Sequence, residues 1–83
     1  MKKYELTGET KIWCGHTMHR IRAVDTFGNV KAGRLGGYVE KEGNLLQDGD
    51  AWVYDDAQVY GDARVYGDAR VYGDARVYGD ARV

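Results

Sequence analysis

The chain has 83 residues, with 12 Lys and Arg against 13 Asp and Glu, a formal net charge of −1, one Cys and no Pro. A single Cys excludes an intramolecular disulfide and fits a reducing compartment, and so short a chain supports no more than one small core. No stretch is apolar for long enough to span a membrane, and neither a secretory leader nor a lipid anchor is expected.

Residues 1–36 read as an N-terminal β cap. Their apolar positions, among them Leu6, Ile12, Trp13, Ile21, Val30 and Leu35, recur without a fixed period. Gly8-Glu9, Cys14-Gly15-His16 and Phe27-Gly28-Asn29 are turn signals between short β-prone runs. This pattern predicts two or three antiparallel strands folded over whatever follows. Cys14, His16 and His19 are the one group of metal-ligand types. A zinc site takes three or four ligands, usually with wider pair spacing than Cys14-x-His16. No second Cys or remote His completes the set, so no metal is expected.

Residues 37–83 are governed by a period of six. Val-Tyr-Gly-Asp-Ala-Arg runs almost unbroken from Val59 to Val83. Counting back in sixes from Gly79, Gly73, Gly67 and Gly61 gives Asp55, Gly49, Gly43 and Gly37. The series Val53, Val59, Val65, Val71, Val77 and Val83 keeps the rule, while Lys41 and Gln47 break it, so the first two hexads look degraded. Within a hexad, Ala-Arg-Val-Tyr alternates as a strand with one buried face, and Gly-Asp supplies a corner. Three such strands close a coil of about eighteen residues in which each unit buries its apolar side only by stacking on its neighbours. Val71 and Val77 should point inward, and Arg70 and Arg76 outward. The whole makes roughly two and a half coils, on the order of 12 Å tall.

This spacing resembles the hexapeptide repeat of left-handed parallel β-helices, common in bacterial acyltransferases. It departs from that motif in carrying Tyr after Val. The resemblance implies an all-β fold: a short left-handed parallel β-helix with an antiparallel cap. Lys3-Tyr4-Glu5-Leu6-Thr7, His19-Arg20-Ile21-Arg22-Ala23 and Gly33-Arg34-Leu35-Gly36-Gly37-Tyr38-Val39-Glu40 look like the leader of small bacteriophage and prophage proteins carrying these repeats. That likeness implies a phage-encoded protein in the host cytoplasm or in the virion.

The acyltransferases it resembles use a His base near a subunit interface, with acyl-CoA lying along the coils. From Gly37 onward this chain has no His, Ser, Thr or Cys, and fold does not carry function by itself. Neither an enzyme nor a bound cofactor is expected. Charge is divided, with seven basic and three acidic residues through Gly36, then five basic and ten acidic. The basic residues are dispersed rather than clustered, so nucleic acid is not the expected partner. Stacking at eighteen residues sets Tyr54 on Tyr72, Tyr60 on Tyr78, Arg64 on Arg82 and Trp52 beside Arg70. Such rows could bind sugars or single-stranded nucleic acid by ring stacking, but the favoured reading is that Tyr and Arg simply cover the sheet faces. The stacked corner Asp residues are ordinary turn chemistry and call for no calcium.

The expected function is a non-catalytic structural or assembly module that self-associates through the β-helix. Val71, Ala75, Val77, Ala81 and Val83, with unpaired backbone groups of the last coil, form the expected contact. An end-to-end homodimer is favoured over a lateral trimer joined by the Tyr rows. The alternative is a host-directed binding or inhibitor protein. Its partner would meet Trp13, Arg20, Arg22 and Trp52, where the sequence is irregular, or the row of Tyr60 and Tyr78.

Overall fold

The computed structural model describes residues 2–47 and 49–83, which are all-β apart from one 3₁₀ turn, Glu42–Asn44. Strands β1 (Tyr4–Trp13) and β2 (His16–Ala23) pair antiparallel. Cys14 and Gly15 close this hairpin with φ of 50° and 80°. A two-residue turn with both centres at positive φ matches the natural twist of the flanking strands. Gly8-Glu9, expected as a turn, instead lies inside β1. Leu6 pairs with Ile21 and Thr10 with His19, so the extra residues bulge without reversing the chain. The bulge brings the Glu9 carboxylate to Arg20 Nε and the Tyr38 hydroxyl, both at 2.9 Å.

Strand β3 (Leu35–Val39) joins two kinds of pairing. It runs antiparallel to β2, and at Tyr38 and Val39 it runs parallel to Gln58 and Val59. Gly37 is therefore strand, not the corner that counting in sixes makes it. A Cβ there would stand 2.4 Å from the Ala57 carbonyl oxygen and 2.6 Å from Val53 Cγ1. Only glycine fits so close an approach.

Downstream, short strands stack at the expected interval. β4 (Trp52–Val53) lies on β6 (Arg70–Val71), β5 (Gln58–Val59) on β7 (Arg76–Val77), and Arg64 on Arg82, each parallel and eighteen residues apart. Upstream the step is twenty. Val39 meets Val59 and Leu45 meets Val65. The count in sixes therefore slips by two before Val53, and Val39 and Leu45 occupy the place of Val rather than that of Ala. Two more residues separate Leu45 from Val53 than separate Val65 from Val71. Gln47 belongs to this longer stretch, and its Oε1 accepts the Lys3 backbone N–H at 2.7 Å. Gly49, Gly61, Gly67, Gly73 and Gly79 take the corners with φ between 66° and 79°, and Asp55 takes one at 56°.

Alternation decides burial along these strands. Val53, Val59 and Val65 are fully buried and Val71 nearly so, while Arg70 and Arg76 are exposed. Each fully buried Val contributes roughly 1.5–3 kcal/mol. The N-terminal segment enlarges the same core with Tyr4, Ile21, Ala23 and Val30. It also satisfies backbone groups of the first coil that would otherwise be orphaned. The Lys3 ammonium donates to the carbonyls of Gly49 and Ala51, and the Tyr4 hydroxyl lies 2.5 Å from the Leu45 carbonyl. Buried Asn44 accepts from the backbone N–H of Glu40 and Lys41 and donates to the carbonyls of Gly61 and Ala63. Among the described residues, no helix is long and apolar enough to cross a membrane.

Candidate functional site

The hairpin tip determines where the surface becomes distinctive. Its two-residue turn carries Trp13 and His16 beyond the end of β3 and over the outer side of the β5–β7 ladder. His16 Nδ1 meets Glu40 Oε2 at 2.9 Å, and its ring lies 4.9 Å from that of Tyr60. The other Glu40 oxygen accepts the Gly61 N–H at 2.8 Å. The bond from His16, followed by the one from Gly61, holds the Glu40 carboxyl below the ordinary carboxylate range. Beneath the tip, Met18, Tyr38 and Tyr60 form a second small apolar cluster.

Tyr60 lies one coil before Tyr78, and their rings stack with centroids 5.5 Å apart and planes within 10°. His16, Tyr60 and Tyr78 thus form a continuous run of rings. The Trp13 indole comes down beside this run and takes the Arg76 guanidinium on its face at 4.2 Å. Between them lies an open cleft of about 510 Å³ lined by Trp13, Cys14, Tyr60, Asp74, Arg76 and Tyr78. Trp13 keeps 38% of its surface exposed and Tyr78 59%. Stacking between rings, and between a guanidinium and an indole, stabilises such a surface by roughly a kcal/mol per contact.

The structure separates the residues that the sequence grouped as partner-binding candidates. Trp13, Tyr60 and Tyr78 meet at the cleft. Arg20 does not line the cleft; it lies farther along the β2 face that carries His16 and is mostly covered, bonded to the Gly36 carbonyl, the Tyr38 hydroxyl, Glu9 and Asp56. Arg22 is exposed and paired with Glu5. Trp52 cannot meet a partner, because it is completely buried. It does occupy the outward row beside Arg70, but Phe27 and Tyr4 pack edge-on against it from the N-terminal segment. Of the residues expected to mediate self-association, Val71 is buried and Val77 half-buried, while Ala75, Ala81 and Val83 are exposed.

Arg76 and Asp74 line the cleft, and His16 backs it by packing on Tyr60, but they escaped sequence reasoning as a site. The signal that could have found them was the Cys14-Gly15 turn, which fixes the length of the hairpin and hence its reach. Cys14, His16 and His19 do not converge. His16 and His19 are three apart on a strand and so on opposite faces, and among the described residues no three His, Cys, Asp or Glu side chains gather into a metal-binding group.

Comparison with known proteins bears on the coils. A family model described as the YdcK β-solenoid repeat matches residues 57–73, 63–76 and 69–83, three overlapping segments whose starts are six residues apart. Over 63 residues the chain is 32% identical to a protein of Escherichia coli (strain K12) called uncharacterized acetyltransferase YdcK. The alignment takes in 66% of this chain and 19% of that protein, so the chain spans about a fifth of its relative's length. With the eighteen-residue parallel ladders, these matches show that the chain carries hexapeptide-type β-solenoid repeats.

Proposed function

We propose that the chain is a non-catalytic β-solenoid module, wound left-handed, that assembles through its coils in the phage-type structural role its wording implies. One observation carries this reading. Gln58, Tyr60 and Asp62 donate their backbone N–H groups to the next coil, at Ala75, Val77 and Gly79. By the same alternation Arg76, Tyr78 and Asp80 turn theirs to the open side, next to exposed Ala75 and Ala81 and half-buried Val77. An edge of this kind takes up a further layer. Further coils of the same polypeptide would supply that layer, and so would a second copy. Two copies meeting by these edges across a two-fold axis form a closed dimer.

The name of the relative raises acetyl transfer as the competing role. Against it stand the chemistry of the coils, which lack His, Ser, Thr and Cys from Gly37 onward, and the engagement of His16 with Glu40 and Tyr60. Light scattering on the 83-residue chain and on Val77→Lys tests the proposal, with the emission of buried Trp52 confirming that the variant is folded. A dimer that becomes monomeric on Val77→Lys is expected. A native chain that stays monomeric overturns the edge contact. So does an oligomer that survives Val77→Lys but dissociates when Tyr60 and Tyr78 become Ser.

A further inference from the structure

We propose that the cleft between Trp13 and Tyr78 binds a neutral oligosaccharide. Its volume of about 510 Å³ falls in the range of small-molecule sites, ~300–1,000 Å³. A sugar ring offers two kinds of surface: an apolar face of C–H groups that lies flat on an aromatic ring, and a rim of hydroxyls that both donate and accept. The cleft presents the complement of each. Trp13 and Tyr78 expose ring surface, and Tyr60 stacks on Tyr78 to hold it in place. Arg76 is held against Trp13 at 4.2 Å, so its donor fork is already oriented.

The polar groups around these rings are also uncommitted. Arg20, Arg22, Lys2 and Lys41 all have carboxylate partners. Among the described residues, no ion pair or side-chain hydrogen bond engages Asp74 or Arg76, nor the hydroxyls of Tyr60 and Tyr78. An acceptor-only carboxylate, a donor-only guanidinium and two phenols therefore line the cleft. That is a set suited to hydroxyl groups, which satisfy both acceptors and donors.

Charge selects against the other ligand that stacks on aromatic rings. Single-stranded nucleic acid needs cations along its phosphates. The cleft offers one, offset by Asp74, and the segment from Gly37 onward has five basic residues against ten acidic ones. The cleft lining thus offers a polyanion no net charge to bind, and a neutral glycan needs none. The site lies on the hairpin side of the coils and uses the outward side chains of Arg76 and Tyr78, whereas the proposed assembly uses the backbone edge of the same stretch.

The test uses the intact 83-residue chain and tryptophan emission, since Trp13 is half-exposed and Trp52 buried. The probes are maltohexaose, cellohexaose, chitohexaose and oligothymidylate. At least one of the hexasaccharides should perturb Trp13 emission saturably. Trp13→Ala and Tyr78→Ser, read by calorimetry, should each weaken that binding about tenfold or more. Tyr72→Ser, on another face, should leave it unchanged. Unaltered Trp52 emission verifies that each variant is folded. Failure of all three hexasaccharides to bind at millimolar concentration overturns the proposal. So does affinity indifferent to Trp13→Ala and Tyr78→Ser, or tighter binding of oligothymidylate.

Discussion

The Lys3 ammonium donates to the Ala51 carbonyl at 2.9 Å, joining residues 48 apart in sequence. It also donates to Gly49 at 3.0 Å and lies 4.7 Å from the centre of the Phe27 ring. A buried cation thus closes part of the coil edge where no strand lies. Lys3→Met keeps most of the apolar stem and removes the donors, leaving two carbonyls without them. A loss of about 2–3 kcal/mol is expected, measured as a lower urea midpoint with an unchanged slope. An unchanged midpoint would show that these carbonyls find other donors.

Tyr4 closes the neighbouring part of that edge and makes stability depend on alkali. Burial, then the nearby Glu42 carboxylate, pushes its phenol well above the ordinary value of 10.0. With the folded pKa raised, the contribution of Tyr4 is fully present below pH 10 and falls as the unfolded chain ionises above it. Thermal melts should therefore show a midpoint that drops above pH 10, and the drop should shrink in Tyr4→Phe. A wild-type midpoint that stays flat to pH 12 would contradict this.

Whatever depended on local alternation was legible in the sequence, and whatever depended on distant contacts was not. Val71 inward and Arg70 outward follow from period two alone. The two-residue slip before Val53 was invisible because Gly49 and Gly43 happen to fall on multiples of six, although neither Gly37 nor Val39 sits where that count puts it. Trp52 illustrates the second kind of limit. Its place in the Arg row correctly points it away from the coil axis, yet Phe27, Tyr4 and the bare backbone of Gly36 cover it from outside. The cleft is similar. Cys14-Gly15 announced a turn, but the landing of Trp13 on Arg76 depends on how β2 and β3 bend, through an irregular register between Arg20 and Arg22.

Asp55 holds a left-handed corner that glycine fills at Gly61, Gly67, Gly73 and Gly79. Asp tolerates this region better than most residues, and its Oδ2 accepts the Gly73 N–H at 3.3 Å, a long and exposed bond. Asp55→Gly removes the steric penalty along with that weak bond, whereas Asp55→Ala keeps the penalty and loses the bond. The Gly variant should be more stable than the Ala variant by about 1 kcal/mol, read from chemical denaturation. The reverse order would show that the Asp55 side chain, rather than its backbone, holds the corner.

Val71 and Arg70 are adjacent in β6, one 4% exposed and packed on Val53, the other facing solvent beside Trp52. Val71→Asp places a carboxylate in a core made of Val, Ala and Leu, where no described group stands ready to pair with it. The charged form is so unfavourable there that the site must take up a proton or open. A loss of about 3 kcal/mol or more is expected, a large fraction of what an 83-residue chain can hold in reserve. The variant should regain part of this at low pH, because the neutral acid is far easier to bury than its anion. Arg70→Ala removes an exposed charge for which no described ion pair exists, and should change stability by less than about 0.5 kcal/mol. Denaturant titrations of both variants at pH 7 and pH 4 provide the comparison. Similar losses for the two, or a Val71→Asp penalty that deepens with acid, would mean that β6 presents the opposite face to the core.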